Sequence, residues 1–297
     1  MNHALDWLQF VLAPQMINGL SIGVAVVLMA LGLTIIFGLL DVINMAHGEF
    51  YAIGAYLAVA LLGLGLSFWW ALVLTPLLMA VLGYATERGL IQRVFHSKDR
   101  HTLTLLLTFG VAVVLEDALK IVFGANPLRV EAPIAGATEV LGLFFPNYRL
   151  FVMLLGGALI TAVWLLVFRT SLGAVVRAAA YDRHMSASLG VPVQRVYAAT
   201  FAFGVALAGI SGVLLAPIYS VFPTMGRDFV LIAFSVVIIG GMGSIKGAVL
   251  AGLLLTQVQS ISSLYISPVW SDPLLFGIMV LVLMWRPQGL FGKLGSA

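Results

Sequence analysis

The chain has 297 residues, 62% of them hydrophobic and only 9% charged, with a mean hydropathy of +1.10. A soluble domain carries roughly 25% charged residues, so composition excludes a soluble fold and points to one integral membrane domain over residues 1–297. The net charge of +3 is assigned to loops that set orientation rather than to a nucleic-acid partner, and the lack of cysteine excludes disulfides, thiolate metal sites and a cysteine nucleophile.

The opening stretch, MNHALDWLQFVLAPQMINGL, holds no Lys or Arg. A signal peptide needs a basic start and a short apolar core, so this stretch is expected to remain in the mature protein. A helical span needs about 20 predominantly apolar residues. Such runs are predicted at Met16 to Leu40, Gly48 to Leu66, Phe68 to Ala85, Thr102 to Gly124 and Leu150 to Phe168. They continue at Tyr197 to Pro217, Phe229 to Ile245, Gly247 to Ile266 and Pro273 to Trp285. The predicted fold class is all-α: a polytopic membrane helix bundle of about nine transmembrane helices, within a range of eight to ten, with broken or short helices.

Between the first two runs lies FGLLDVINMAHGEFYAIGAY, which sets Asp41, Asn44, His47 and Glu49 within nine residues. An ionisable side chain at mid-membrane costs roughly 2.5–3.5 kcal/mol on insertion scales. Asp41 and Glu49 must therefore lie near an interface, face protein, or line water. A turn at the cytoplasmic border and a broken helix lining a transport path both satisfy that condition. At 100° per residue, Asn44, His47 and Tyr51 share one helical face. Ala46, Gly48, Ala52 and Ala55 are small enough to admit a second helix closely. His47 suits either a proton relay or a plain hydrogen bond.

Further along, Ala125 to Arg149 forms the largest loop on the predicted outer side, suited to packing as a cap or to meeting a soluble partner. The segment RTSLGAVVRAAAYDRHMSASLGVPVQRVY is amphipathic. Tyr181, Met185 and Leu189 recur every four residues, which predicts one short helix over Tyr181 to Leu189. Arg177, Asp182, Arg183 and His184 supply its polar side, and Gly190 ends it before Pro192. Such an element suits lying flat on a bilayer or docking into a soluble partner. The joint IIGGMGSIKGAVLAG loosely echoes the polar stretch near the start, as internal repeats of transporters do.

Motifs for chemistry are lacking. No GxxxxGK[ST] phosphate loop or HExxH zinc pair occurs. No cofactor, metal or catalytic residue is predicted. With nine spans and the N-terminus outside, Arg88, Arg93, Lys98, Arg100, Arg169, Arg177, Arg183, Arg195, Lys246, Arg286 and Lys293 all fall on the cytoplasmic side. Lys120, Arg129, Arg149 and Arg227 fall outside or at that interface, and this bias fits the positive-inside rule.

Four motifs together carry a resemblance. LGLTIIFGLLDVINMAHGEFYAIGAY, RAAAYDRHMSASLGV with its Pro192, GGMGSIKGAVLAG and RPQGLFG resemble, in order and over most of the chain, the H-type permease subunits of branched-chain amino-acid ABC importers. The resemblance implies a subunit in the bacterial inner membrane, surrounded by lipid and paired with a second, related permease. Two cytoplasmic ATPases and an external solute-binding protein complete such an importer, and ATP is hydrolysed by the partner subunits. It also implies that Arg177 to Gly190 is the coupling element, with Arg177, Tyr181, Asp182, Arg183, Met185, Leu189 and Gly190 at the ATPase contact. Asn44, His47 and Glu49, with Tyr51 on the same stretch, would then sit beside the path of a branched-chain or related amino acid. AYDRHMSASLG departs from the Glu-Ala-Ala start common in importer permeases, which leaves open the side chain that makes the ATPase contact. The competing expectation is an ion- or proton-coupled carrier or channel using His47 and Glu49, with Asp41, Glu116 and Asp117 as the other candidate acids. An intramembrane enzyme lacks a paired nucleophile and base.

Overall fold

The computed structural model describes residues 7–95, 97–140, 143–267 and 270–292; Lys293, counted above among the cytoplasmic cations, lies outside the described residues. Helix α1 (Ala13–Leu40) follows a π turn at Leu8–Leu12, and α2 (His47–Gly63) follows a short non-helical turn. Helix α3 (Phe68–Thr86) runs on through a second π turn to Val94, and α4 spans Arg100–Phe123. A hairpin of β1 (Ala137–Val140) and β2 (Leu143–Pro146) precedes α5 (Asn147–Arg169). Then come α6 (Ser171–Tyr181), α7 (Arg183–Ser188), α8 (Val193–Leu215), α9 (Met225–Gly240), α10 (Ile245–Ser262) and α11 (Ser271–Trp285).

All nine predicted spans are helical, as α1 to α5 and α8 to α11. Five of them are long and apolar enough to cross a bilayer by length and composition, within Phe10–Leu40, Phe68–Val94, Asn147–Arg169, Val193–Leu215 and Ile245–Ser262. The chain is a multi-pass membrane protein. The hairpin is a departure from the all-helical expectation: Gly136 takes φ +85°, and Asn147 and Thr138 tie the hairpin to the start of α5. It occupies the loop for which cap and partner contact were both open, and a backbone bridge between Leu128 and Val221 fastens that loop to the bundle.

The core forms around α1 and α8, which pack against each other and against α2, α3 and α10. Small residues bring the backbones together. Gly32 of α1 faces Gly204 of α8, and Gly54 of α2 faces Gly209 of α8, so closely that a Cβ at Gly32 or Gly54 would strike the facing backbone. In a membrane the hydrophobic effect gives little drive between helices, and close backbone contact supplies dispersion instead. The segment after α11 turns back at Gly289 (φ +77°), and the amides of Leu290 and Phe291 donate to the carbonyls of Ile239 and Gly240 at the end of α9.

Helix α1 serves as a ruler for the two ends of the bundle. Phe37 to Asp41 share a cavity with Arg100, Arg177, Arg183, Lys246 and Phe291. Phe10 to Asn18 share a groove with Pro146, Arg149 and Leu264. The described chain therefore begins at one end and finishes at the other, cation-rich end.

Candidate functional site

Asp41 ends α1 in the left-handed region (φ 53°), where its amide donates to the Phe37 carbonyl. Its carboxylate stands 3.3 Å from Arg100 and 3.6 Å from His101 at the cation-rich end, half exposed. Asp41 is thus the interfacial member of the polar stretch. The chain then re-enters the bundle without helical hydrogen bonds. Thr108 of α4 serves this turn: its hydroxyl donates to the Ile43 carbonyl (3.2 Å) and accepts from the Met45 amide (3.1 Å). Asn44 serves it too, its Oδ1 accepting from the Ala46 amide (3.1 Å) and its carbonyl from the His47 amide (3.2 Å). Irregular backbone at membrane depth persists only where protein or water satisfies it.

Helix α2 therefore begins inside the bundle. His47 Nε2 lies 3.0 Å from the carbonyl oxygen of Met29. A carbonyl only accepts, so Nε2 carries the proton. Met29 precedes the end of α1 at Leu40 by 11 residues, about 16 Å along the axis. The predicted face of Asn44, His47 and Tyr51 is altered accordingly, because Asn44 precedes the first helical residue and acts as the turn's side-chain bridge. Asn44 and His47 are 0% exposed, Glu49 is 3% exposed and Tyr51 is fully buried. Four of their polar atoms, Asn44 Nδ2, His47 Nδ1, Glu49 Oε2 and the Tyr51 hydroxyl, have no hydrogen-bond partner among the described residues. Buried polar atoms are normally paired.

Helix α9 also starts inside. Gly226 in its first turn faces Gly48 and Glu49 of α2, and a Cβ at Gly226 would come within 2.6–2.7 Å of the Glu49 carboxyl. Tyr51 stacks on Phe229 one turn further, with ring centroids 4.5 Å apart. The next residue after Gly226, Arg227, pairs with Glu116 (2.6 Å), which Lys120 also contacts (2.7 Å). A line of alternating charges thus runs from buried Glu49 past Arg227 and Glu116 to Lys120. Glu116 stands out in the sequence as a candidate acid, but its union with Arg227 does not, since the two lie 111 residues apart and no local spacing reports such a pair.

The cation-rich end carries the second group of predicted residues. Thr170 caps α6 by accepting from the Gly173 amide, and Arg177 donates back to the Val167 carbonyl while its guanidinium lies over Phe168. Arg177 is therefore spent on holding α6 against α5. The predicted single helix over Tyr181 to Leu189 is broken: Asp182 leaves helical geometry (φ −148°, ψ 105°), and its Oδ1 accepts from the amides of His184 and Met185 (2.9 Å each). Aspartate at an N-cap stabilises a new helix start more than it supports the interior of an old one. Helix α7 then ends through Gly190 (φ +85°), with the Gly190 amide donating to the Ala187 carbonyl and that of Val191 to Ser186. Arg183 lies over Phe95, as does Arg100. Tyr181, Met185 and Leu189 remain 95%, 60% and 77% exposed.

This elbow borders an open cavity of about 1370 Å³, with the Asp41–Arg100 pair and the Met242 to Lys246 joint on its other walls. None of Asn44, His47, Glu49 and Tyr51 lines it. Two clusters result: a buried one at mid-depth, where α2 and α9 start, and an exposed one at the cation-rich end.

Replacing Asn44 with Ala removes the acceptor for the Ala46 amide inside the bundle. An orphaned buried donor costs about 1–3 kcal/mol, so the yield of folded Asn44→Ala protein in the membrane is expected to drop severalfold, as read by detergent-solubilised monodisperse protein.

A family model described as "Branched-chain amino acid transport system / permease component" matches residues 15–283. The high-affinity branched-chain amino acid transport system permease protein LivH of Escherichia coli is 30% identical, over 94% of this chain and 95% of its own. BraD of Pseudomonas aeruginosa is likewise 30% identical over the same shares. LivM of Escherichia coli is 28% identical over 97% of this chain and 72% of its own. Among solved structures, PsaBC from Streptococcus pneumoniae in complex with Fab superposes with a TM-score of 0.52 at 15% identity, covering 96% of this chain and 95% of that one, a likeness of fold.

Proposed function

Because the chain belongs to the permease-component family of branched-chain amino acid transport systems, we propose that it forms, as a single membrane domain, half of the translocation path of an importer for branched-chain or related amino acids. The path runs beside the mid-depth cluster of Asn44, His47, Glu49 and Tyr51. Two ATPase subunits bind at the cation-rich end, a second related permease completes the path, and an external binding protein delivers the solute. That both LivH and LivM resemble this chain supports a permease pair.

One observation carries the proposal: the α6–α7 elbow offers exposed Tyr181, Met185 and Leu189 next to an open cavity, at the same end as most of the cations. Apolar anchors standing free at the polar end of a membrane bundle suit a soluble partner, as in helix-in-groove recognition. The decisive experiment is reconstitution. Vesicles holding this chain alone are expected to be inactive, and vesicles holding it with the second permease and ATPases are expected to take up solute only with internal-face ATP and loaded binding protein. Uptake by the chain alone, driven by an ion gradient, would instead establish the carrier.

The proposed orientation puts the cation-rich end in the cytoplasm of a bacterial inner membrane and the N-terminal region outside. No native cysteine interferes with labelling. A cysteine placed at exposed Ser188 is expected to react with an impermeant maleimide only after the cells are permeabilised. Reaction in intact cells would reverse the orientation.

A further inference from the structure

At the end opposite the cations, a groove of about 440 Å³ opens between the start of α1, strand β2, the first turn of α5 and the turn after α10. Its walls are mostly apolar: Phe10, Val11, Ile17, Phe144, Phe145 and Leu264. Three polar side chains, Gln15, Asn18 and Arg149, break this surface, and two of them hold an atom that is buried and without a hydrogen-bond partner among the described residues: Arg149 Nη1 and Asn18 Oδ1. We propose that this groove is a phospholipid site, with the Arg149 guanidinium holding the phosphate, Asn18 Oδ1 accepting from a hydroxyl or ammonium of the headgroup, and the aromatic walls receiving the upper part of an acyl chain.

Depth is the first support. Between Arg149 and Arg169, α5 carries only uncharged residues, Leu150 to Phe168. Those 19 residues extend about 28 Å as a helix, close to the roughly 30 Å thickness of a bilayer's hydrocarbon core. With Arg169 at one border, Arg149 stands at the other, level with lipid phosphates. Aromatic residues mark the same border: Trp7 packs near Tyr265, ring centroids 6.5 Å apart, beside Leu264, as interfacial Trp and Tyr belts do.

Rigidity is the second. The groove's floor is tied across α1 and α10 by Ser260 Oγ donating to the Gln15 carbonyl (2.7 Å) and Gln257 Nε2 donating to the Met16 carbonyl (2.8 Å). Gln15 Oε1 accepts from Asn18 Nδ2 (3.2 Å), which leaves Asn18 Oδ1 as the free acceptor. The side walls are open: Phe10 is 60% and Phe144 72% exposed. An anion, a donor and an apolar body are also what a free apolar amino acid presents. The groove's opening along its exposed phenylalanines favours a ligand that arrives from the membrane and extends back into it.

The test uses the full chain, purified, delipidated in mild detergent and titrated with palmitoyl-oleoyl-phosphatidylglycerol in native mass spectrometry. One lipid is expected to bind more tightly than the rest. Arg149→Gln should weaken that step about tenfold or more, the loss of one charge-assisted contact, and Arg149→Lys should restore most of it. Leu264→Trp, which fills the groove and leaves Arg149 in place, should also remove the step, and decides the matter if the Arg149 variants fail to assemble. Unchanged tight binding in Leu264→Trp would overturn the site. So would equal affinity for diacylglycerol, which lacks the phosphate, or displacement of the lipid by millimolar free leucine, which would make the groove a solute site.

Discussion

Converting Met185 and Leu189 together to Asp is expected to abolish ATP-driven uptake while the chain still inserts and folds. Both side chains stand mostly clear of the bundle, so their replacement removes no core contact. Burial of a Met or Leu side chain in a partner contributes roughly 1.5–3 kcal/mol each. Losing both, and burying two carboxylates in their place, weakens docking by well over a hundredfold. The charges of the elbow matter less. Arg177 is turned back onto Val167 and Phe168, and an exposed ion pair contributes about 1 kcal/mol at most. Arg183→Ala is accordingly expected to lower uptake by about fivefold at most. Co-purification of the ATPases and hydrolysis stimulated by loaded binding protein are the measurements. Both at wild-type level in the double variant would rule out the elbow as the docking element. Tyr181 is a separate anchor: Asp182 turns the chain between it and Met185, so its loss should add to theirs rather than merge with it.

The break at Asp182 shows where sequence was legible and where it was not. The four-residue recurrence of Tyr181, Met185 and Leu189 correctly marks an exposed apolar element, yet periodicity cannot distinguish one helix from two that meet at a capped turn. Asp182 carried the missing signal, since Asp favours a helix start over a helix interior. The spans were legible because uninterrupted apolar runs with glycine or charge at their borders leave a membrane segment few alternatives. The re-entrant starts of α2 and α9 were not. His47 reaches its depth through Met29 and Thr108 supports the turn before it, and these partners lie far off in sequence. Gly48 did announce its purpose: the small residues around it admit Gly226 and Val230 of α9. The union of Glu116 with Arg227, like the seating of Glu49 against Gly226, is purely tertiary.

Replacing Glu49 with Gln is expected to reduce uptake per assembled complex at least tenfold, with little change in the amount of folded protein. Glutamine keeps the shape of the side chain and fits the notch left by Gly226, so α2 and α9 can still meet. What it removes is the charge. A carboxylate at this depth is costly to insert, and Glu49 Oε2 gains no hydrogen bond from the described residues in return. A group of this cost, held by a helix start that itself requires Thr108 and Asn44 to satisfy its backbone, is one that structure alone does not reward. Its counterpart Glu116 is different: Arg227 and Lys120 both contact it, so Glu116→Gln should act mainly on the fit of α9 against α4. Stimulated ATP hydrolysis separates the possibilities for Glu49→Gln. If hydrolysis still responds to loaded binding protein while uptake fails, Glu49 acts on the solute's passage. If uptake stays within twofold of wild type, Glu49 is a packing residue of the α2–α9 contact and the path lies elsewhere. Gly226→Val provides the contrast, because its side chain would strike the Glu49 carboxyl directly, and it is expected to lower folded protein and uptake in equal proportion.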